Sequence, residues 1–264
     1  MKNNYSIAIG AAVSAGSAIM EVYEGEGFEV ERKADDSPLT LADRRAHEVI
    51  MEALKETGIP VLSEEGRAIP YAERTIWSPF WLVDPLDGTK EFIKRNGEFT
   101  VNIALVTEGR TEFGVVFAPA LKHLYVGHPT RGAYLCTKEK NFGQPFDYLI
   151  QFSTRLPAQE ADSSCFRVVA SRSHYNRETA DYVDSLDSEG REISLVNSGS
   201  SLKLCMVATG EAEIYPRLGP TMEWDTAAAH AVVKASGKNV YRVDNGLELL
   251  YNKENLLNPF FVVR

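Results

Sequence analysis

The stretch "FWLVDPLDGTKEF", Phe80 to Phe92, decides how the chain is read. Its first four residues are apolar without interruption, as in a strand covered on both faces. The next four place Asp84 and Asp87 on either side of Pro85 and Leu86. Asp-Pro and Asp-Gly are also common turn dipeptides, because proline presets φ and glycine accepts positive φ. A turn and a metal site are both open here, and the choice rests on whether other carboxylates converge on the same point.

Upstream of that stretch, Thr40 starts a helical pattern: Ala42, Ala46, Val49, Ile50, Ala53 and Leu54 keep one apolar stripe, and Gly58 is placed to end it. The polar segment before it, "EGEGFEVERKADDSPLT", reads as one short strand and a loop, and Pro60 to Leu62 is a short run leading into Glu64 and Glu65. Downstream, "EFTVNIALVTEG", "TEFGVVFAPA" and "LKHLYVGHP" follow at short intervals, the pattern of an antiparallel meander. From about Arg167 strands and helices alternate, as in an α/β unit: "RVVA", a helix near Glu178 to Leu186, "EISLV", a helix from about Ser201, "AEIYP", a helix from about Asp225, and "NVYRV". The polar, weakly patterned segment 137–164 sets the expected boundary, giving an N-terminal α+β domain over 1–150 and a C-terminal α/β domain over 151–264.

Composition narrows the partners. The 264 residues carry 28 basic and 37 acidic side chains, a net charge of −9, so nothing draws the chain broadly to nucleic acid or anionic lipid. An anionic substrate would need a local source of positive charge. Cys136, Cys165 and Cys205 show neither metal-ligand nor redox spacing and suit a reducing cytoplasm. The first twenty residues imitate a secretory signal, but Ser6, Gly10, Ser14, Ser17, Glu21 and Glu24 recur at helical period opposite Ile9, Val13, Met20 and Tyr23, which favours a mature amphipathic helix. No uninterrupted apolar run reaches the length of a membrane span.

Five acidic side chains stand at element ends: Glu64 and Glu65 after one strand, Asp84 and Asp87 after another, and Asp225 in "EWDTAAAHAVV" at a helix start. Singly, each reads as a solvated loop residue, turn chemistry or a helix cap. Together they form an oxygen-only ligand set that suits a hard cation such as Mg2+, with a carbonyl between the aspartates as a further donor. Two cations roughly 3.5 to 4 Å apart hold a phosphate and stabilise both attacking and leaving oxygens. Gly88 and Thr89 open "KEFIKR", a helix whose first amides would face that phosphate. Thr89 caps this helix or orients the attacking water. Asp43, three residues after Thr40, closes a capping box or shares that water with Thr89.

"LSEEG" at Leu62 to Gly66, "WLVDPLDGTKEF" at Trp81 to Phe92 and "WDTAAAHAV" at Trp224 to Val232 resemble, in order and separation, the three signatures of the inositol monophosphatase superfamily of Mg2+-dependent, lithium-sensitive phosphatases. Within it, "SRSH", "GSSLK" and "YPRLGPT" are most similar to the bacterial 3'(2'),5'-bisphosphate nucleotidases. The resemblance implies a layered α-β-α-β-α sandwich. It implies two or three Mg2+ held by Glu64, Asp84, Asp87, Asp225 and the Leu86 carbonyl, one of them by Glu64, Asp84 and Leu86 and a second by Asp84, Asp87 and Asp225. Asp43 and Thr89 take the role of activating water, and Glu65 has at most an indirect one. Ser171, His174, Gly199, Lys203 and Asp225 contact the nucleotide, with Arg217 nearby and Glu64, Leu86, Asp87, Gly88 and Thr89 around the phosphate.

The implied substrate is adenosine 3',5'-bisphosphate, cut to AMP and phosphate, and also its sulfated precursor. The same chemistry on an inositol or sugar phosphate is the nearest alternative, and a non-catalytic nucleotide- or metal-binding protein is the alternative of another class. The expected partner is a small-molecule nucleotide, with no nucleic acid, no obligatory membrane and no oligomeric state specified. The expected setting is the cytoplasm, with a peripheral place at the inner membrane face as the second.

Overall fold

Two-residue alternation along Phe80–Asp87 sorts the molecule into two faces. A computed structural model describes residues 2–25, 30–32, 38–158, 164–171, 176–188 and 190–264. The chain begins with α1 (Lys2–Glu24), the antiparallel pair β1 (Val30–Arg32) and β2 (Pro38–Thr40), α2 (Leu41–Lys55), β3 (Val61–Ser63) and the one-turn α3 (Tyr71–Arg74). There follow β4 (Phe80–Asp87), the short α4 (Thr89–Ile93), β5 (Thr100–Thr107), β6 (Arg110–Ala118), β7 (His123–His128), β8 (Gly132–Cys136) and α5 (Phe146–Leu149). The remainder is β9 (Thr154–Leu156), β10 (Cys165–Ser171), α6 (Arg177–Asp184), β11 (Glu192–Ser198), α7 (Leu202–Thr209), β12 (Tyr215–Arg217), α8 (Trp224–Ala235), β13 (Val240–Arg242) and β14 (Phe261–Val263).

Strands β3 to β9 form one seven-stranded sheet in chain order, with β3 parallel to β4 and every other pair antiparallel. Trp81 and Val83 of β4, Val101, Ile103 and Leu105 of β5, and Phe113, Val115 and Phe117 of β6 meet α1 and α2 on one face. Phe80, Leu82, Ala104, Val106 and Val116 point the other way, onto α7 and α8. Beyond those helices lies a second layer of strands, the parallel pair β10 and β11 and the antiparallel order β12-β14-β13, joined by a parallel bridge from Val168 to Ile214. Alternation sorts this layer too: Val169, Phe261 and Val263 face α7 and α8, whereas Val168 and Val262 face α6 through Val183. The order is helix, sheet, helix, sheet, helix, as a layered sandwich requires.

Several sequence expectations change. The segment before α2 holds two short strands rather than one. The unpatterned segment 137–164 supplies β9, so the first sheet runs past residue 150. By length and mean hydropathy α1 is apolar enough to cross a membrane. In the structure its buried residues Ala8, Ile9, Ala12, Ala15 and Ile19 belong to the core beside α2, while Ser14, Ser17, Glu21 and Glu24 face outward.

The seating of α8 is unusually close. A Cβ placed on Gly127 would come within 2.5 Å of Val232 Cα and 2.7 Å of Ala231 O, and one on Gly114 within 2.1 Å of Ala228 O. Glycines on two neighbouring strands and alanines on the helix thereby let backbone meet backbone. Since the obstructing atoms are main chain and cannot rotate away, Gly127→Ala is expected to cost about 2–3 kcal/mol. Thermal melts should show a Tm lower by roughly 5–10 °C; an unchanged Tm would contradict this seating.

Candidate active site

The two aspartates of "DPLDG" face the same way because β4 contains an extra residue. Asp84 pairs with Asn102 and Asp87 with Thr100, so three steps along β4 match two along β5. Residues three apart in a regular strand point to opposite faces; the bulge at Pro85 and Leu86 turns Asp87 back to the side of Asp84. Pro85 is tolerated because β3 pairs with β4 only through Val83, leaving no ladder bond for it to donate. The stretch is therefore a bulged strand end rather than a turn, and the turn comes one residue later, at Gly88 with φ of 91°.

Glu64 reaches the same place from the end of β3, its N–H donating to Val83 O at 3.1 Å, and Asp225 reaches it from the first turn of α8. Glu64, Asp84 and Asp225 each present a carboxylate oxygen within 4.8 Å of the other two. Asp87 lies beside them, with Oδ2 accepting the Ser201 N–H at 2.5 Å at the start of α7. Neither helix-cap reading holds for the site: Gly88 is the N-cap of α4 and Glu223 that of α8, and Asp225 Oδ2 instead accepts the Met222 N–H at 2.8 Å. Leu86 is buried, its N–H donates to Asp84 Oδ1 at 3.0 Å, and its carbonyl accepts from Thr89 Oγ1 at 3.4 Å.

Asp43 closes the capping box and also meets Thr89. Its Oδ2 accepts from Thr40 N at 2.7 Å and Thr40 Oγ1 at 2.6 Å, completing the capping box of α2. Its Oδ1 accepts from Thr89 Oγ1 at 3.2 Å. The cap fixes the carboxylate and leaves its second oxygen for the threonine.

A cleft of about 360 Å³ runs from this cluster to the strands of the second layer. Of the expected residues, Glu64, Asp87, Gly88, Thr89, Gly199, Lys203, Arg217 and Asp225 line it, and Asp84, at 1 % exposure, lies beneath. His174 lies outside the described residues, and of Ser171 the structure describes only its backbone in β10. Lys203 and Arg217 are each 8 % exposed. The Lys203 ammonium donates to Ser200 O at 2.6 Å, Arg217 donates to Pro220 O at 2.9 Å, and Arg217 Nε has no partner among the described residues. Gly199 is required: a Cβ there would meet Glu91 Cγ at 2.7 Å and Glu98 O at 2.8 Å.

Sequence reasoning did not single out the polar cluster beneath the site. Ser201 Oγ bonds Asn102 Oδ1 and Thr100 Oγ1, each at 2.8 Å, and Asn102 Nδ2 bonds Thr100 Oγ1 at 3.1 Å, tying α7 to β5 under Asp87. Thr100 and Asn102 are polar residues two apart in an otherwise apolar strand, which is the signal that could have found them. Tyr215, Thr226 and Phe261, also in the cleft, carry no such mark.

Electrostatics shows what the cluster needs. Burial, then the charges of Glu64, Asp87 and Asp225, raise the Asp84 carboxyl far above its ordinary range; burial and the charges of Asp87 and Glu64 do the same to Asp225. Asp87 is pushed up to about 6 by burial, against the opposing pull of Lys203 and the Ser201 N–H. Burial likewise lowers Lys203 to about 8. At an effective dielectric of about 20, two unit charges at about 4.8 Å repel by roughly 3–4 kcal/mol. With all three carboxylates ionised, three such pairs would rival a domain's whole stability of about 5–15 kcal/mol, which is why Asp84 and Asp225 hold their protons in the absence of a cation. A cation relieves this, and the all-oxygen donor set fits Mg2+.

Comparison with known proteins gives the same direction. The sequence model described as "Inositol monophosphatase family" matches residues 1–259. The 3'(2'),5'-bisphosphate nucleotidase CysQ of Salmonella typhimurium is 46% identical over 256 residues, 96% of each chain, and that of Escherichia coli K12 is 45% identical over the same share. The crystal structure of CysQ from Bacteroides thetaiotaomicron, described as a bacterial member of that family, is 49% identical with a TM-score of 0.91, covering 100% of this chain and 97% of the other.

The sign of the Asp87 shift makes a prediction. A carboxyl raised to about 6 from 3.8 contributes stability that is present below pH 3.8 and lost as pH rises through about 6. In EDTA, Asp87→Asn should therefore melt above the parent protein at pH 8, and that advantage should shrink as pH falls below about 6 and be gone only below about 3.8. In the parent protein, the Mg2+ concentration needed to raise Tm should increase as pH falls from 8 to 6. A variant less stable than its parent in EDTA at pH 8 would oppose the repulsion argument.

Proposed function

The chain belongs to the inositol monophosphatase family, and on that premise we propose that it is a Mg2+-dependent phosphatase that hydrolyses the 3'-phosphate of adenosine 3',5'-bisphosphate to AMP and phosphate, and also accepts the sulfated precursor. The observation that carries this reading is that one cleft is lined both by the carboxylate cluster and by two nearly buried cations, Lys203 and Arg217. A bisphosphate needs two anion sites. An inositol monophosphate would bring no second phosphate to Lys203 and Arg217, which disfavours the nearest alternative.

Glu64, Asp84, Asp87, Asp225 and the Leu86 carbonyl are the residues that would hold Mg2+. When bound, the metal would neutralise these carboxylates and the scissile phosphate and stabilise charge on the attacking and leaving oxygens. Thr89 and Asp43 orient the attacking water: the Thr89 hydroxyl donates to Asp43 Oδ1, so its oxygen accepts from the water. As the water oxygen bonds to phosphorus and the bond to the 3'-oxygen breaks, a proton passes through Thr89 to Asp43, and the departing oxygen takes one from solvent. Lys203 and Arg217 receive the 5'-phosphate, and the Arg217 Nε, without a partner among the described residues, is a donor for it. Gly88, Gly199, Ser171 and His174 are assigned to nucleotide contact by motif position. Three free thiols suit a cytoplasmic setting.

Phosphate release should be measured from adenosine 3',5'-bisphosphate, adenosine 3'-phosphate and inositol 1-phosphate with Mg2+. The bisphosphate is expected to give the highest kcat/KM, and a preference for the inositol ester would overturn the assignment. Arg217→Leu should lower kcat/KM about ten- to hundredfold for the bisphosphate, the loss expected of one charged hydrogen bond, while changing that for adenosine 3'-phosphate little.

A further inference from the structure

Asp43 and His47 stand one turn apart on α2, on the same side of the helix. Asp43 reaches Thr89; His47 Nδ1 lies 3.0 Å from Ser63 Oγ. Ser63 is the last residue of β3 and precedes Glu64, and its carbonyl accepts the Gly66 N–H at 3.0 Å, closing the tight turn "SEEG". The Glu64 N–H is held by Val83 O, one residue before Asp84. The backbone of Glu64 is thus secured to β4 on one side, and its neighbour's side chain is secured to α2 on the other.

We propose that His47 is a positioning residue: through Ser63 it fixes turn 63–66 against α2 and holds the Glu64 carboxylate in register with Asp84 and Asp225. One helix then sets both halves of the reaction geometry, the water side through Asp43 and the cation side through His47. The alternative, that His47 merely fills space, fits the surroundings poorly. His47 is half-buried and borders a second cleft of about 320 Å³, lined also by Met51, Ser63, Gly66, Arg67 and Trp77. Replacing the imidazole enlarges an open cleft instead of leaving a sealed void, so a variant should fold. Outer partners that orient a metal ligand typically account for about ten- to hundredfold in metal affinity.

This inference rests on the cation reading of the site, so the experiment reads metal binding apart from turnover. The Mg2+ concentration giving half of the maximal Tm shift, and that giving half-maximal activity, should be measured for the parent, His47→Leu, His47→Asn, Ser63→Ala and the double variant His47→Leu with Ser63→Ala. Both values are expected to rise about tenfold in His47→Leu and Ser63→Ala, with KM for the nucleotide at saturating Mg2+ unchanged. His47→Asn places an amide atom where Nδ1 stands and should recover most of the loss. The double variant should be no worse than the worse single one, because both remove one interaction. Mg2+ values within twofold of the parent in both single variants, no recovery by asparagine, or additive losses would each overturn the proposal. No Tm shift in the parent protein would remove the cation reading along with it. Should His47→Leu fail to fold, Ser63→Ala alone decides.

Discussion

One extra residue in β4 governs the site. Without the bulge at Pro85 and Leu86, Asp87 would point into the apolar layer beneath α1 and α2, where Trp81, Val83 and Leu86 lie. With it, both aspartates face α7 and α8. The pieces around the bulge make sense only in its company. The short β3 leaves Pro85 without a ladder partner, Gly88 takes the positive φ that redirects the chain, and Thr100, Asn102 and Ser201 give the displaced backbone a polar floor.

The same constraint creates an electrostatic debt that the protein carries within its fold. Acidic side chains are driven together in a place where burial already disfavours their charge. Helix starts offset part of it, since Asp87 takes an N–H at the head of α7 and Asp225 lies in the first turn of α8. Lys203 is close enough to pull Asp87 down, yet its ammonium is anchored to Ser200 O instead of pairing with a carboxylate. Two nearly buried cations lining the same cleft give a chain of net charge −9 a local source of positive charge for an anion.

Much of this was legible in the sequence. Phe80 to Val83 reads as a doubly covered strand, the β5–β7 meander announces itself by alternation and turn residues, and Thr40 with Asp43 marks a helix start. The carboxylates could be gathered because each stands at an element end. What stayed hidden depends on partners distant in the chain. A bulge and a tight turn share the letters Asp, Pro and Gly, and only the β5 register separates them. Strands β1, β2, β9 and β14 are three residues each, too short to show a period. The His47–Ser63 contact spans a helix and a strand whose separate patterns say nothing of their meeting.

The seating of α8 on Gly114 and Gly127 ties the chemistry to the order in which the chain is made. That helix is both the cover for one face of the large sheet and the bearer of Asp225, and it lies late in the sequence. While the ribosome has released only the earlier segments, the sheet's glycine-lined face has nothing to rest against and the acidic cluster lacks one of its members. Burial of that face and arrival of Asp225 in the carboxylate cluster are therefore a single event, because one helix brings both.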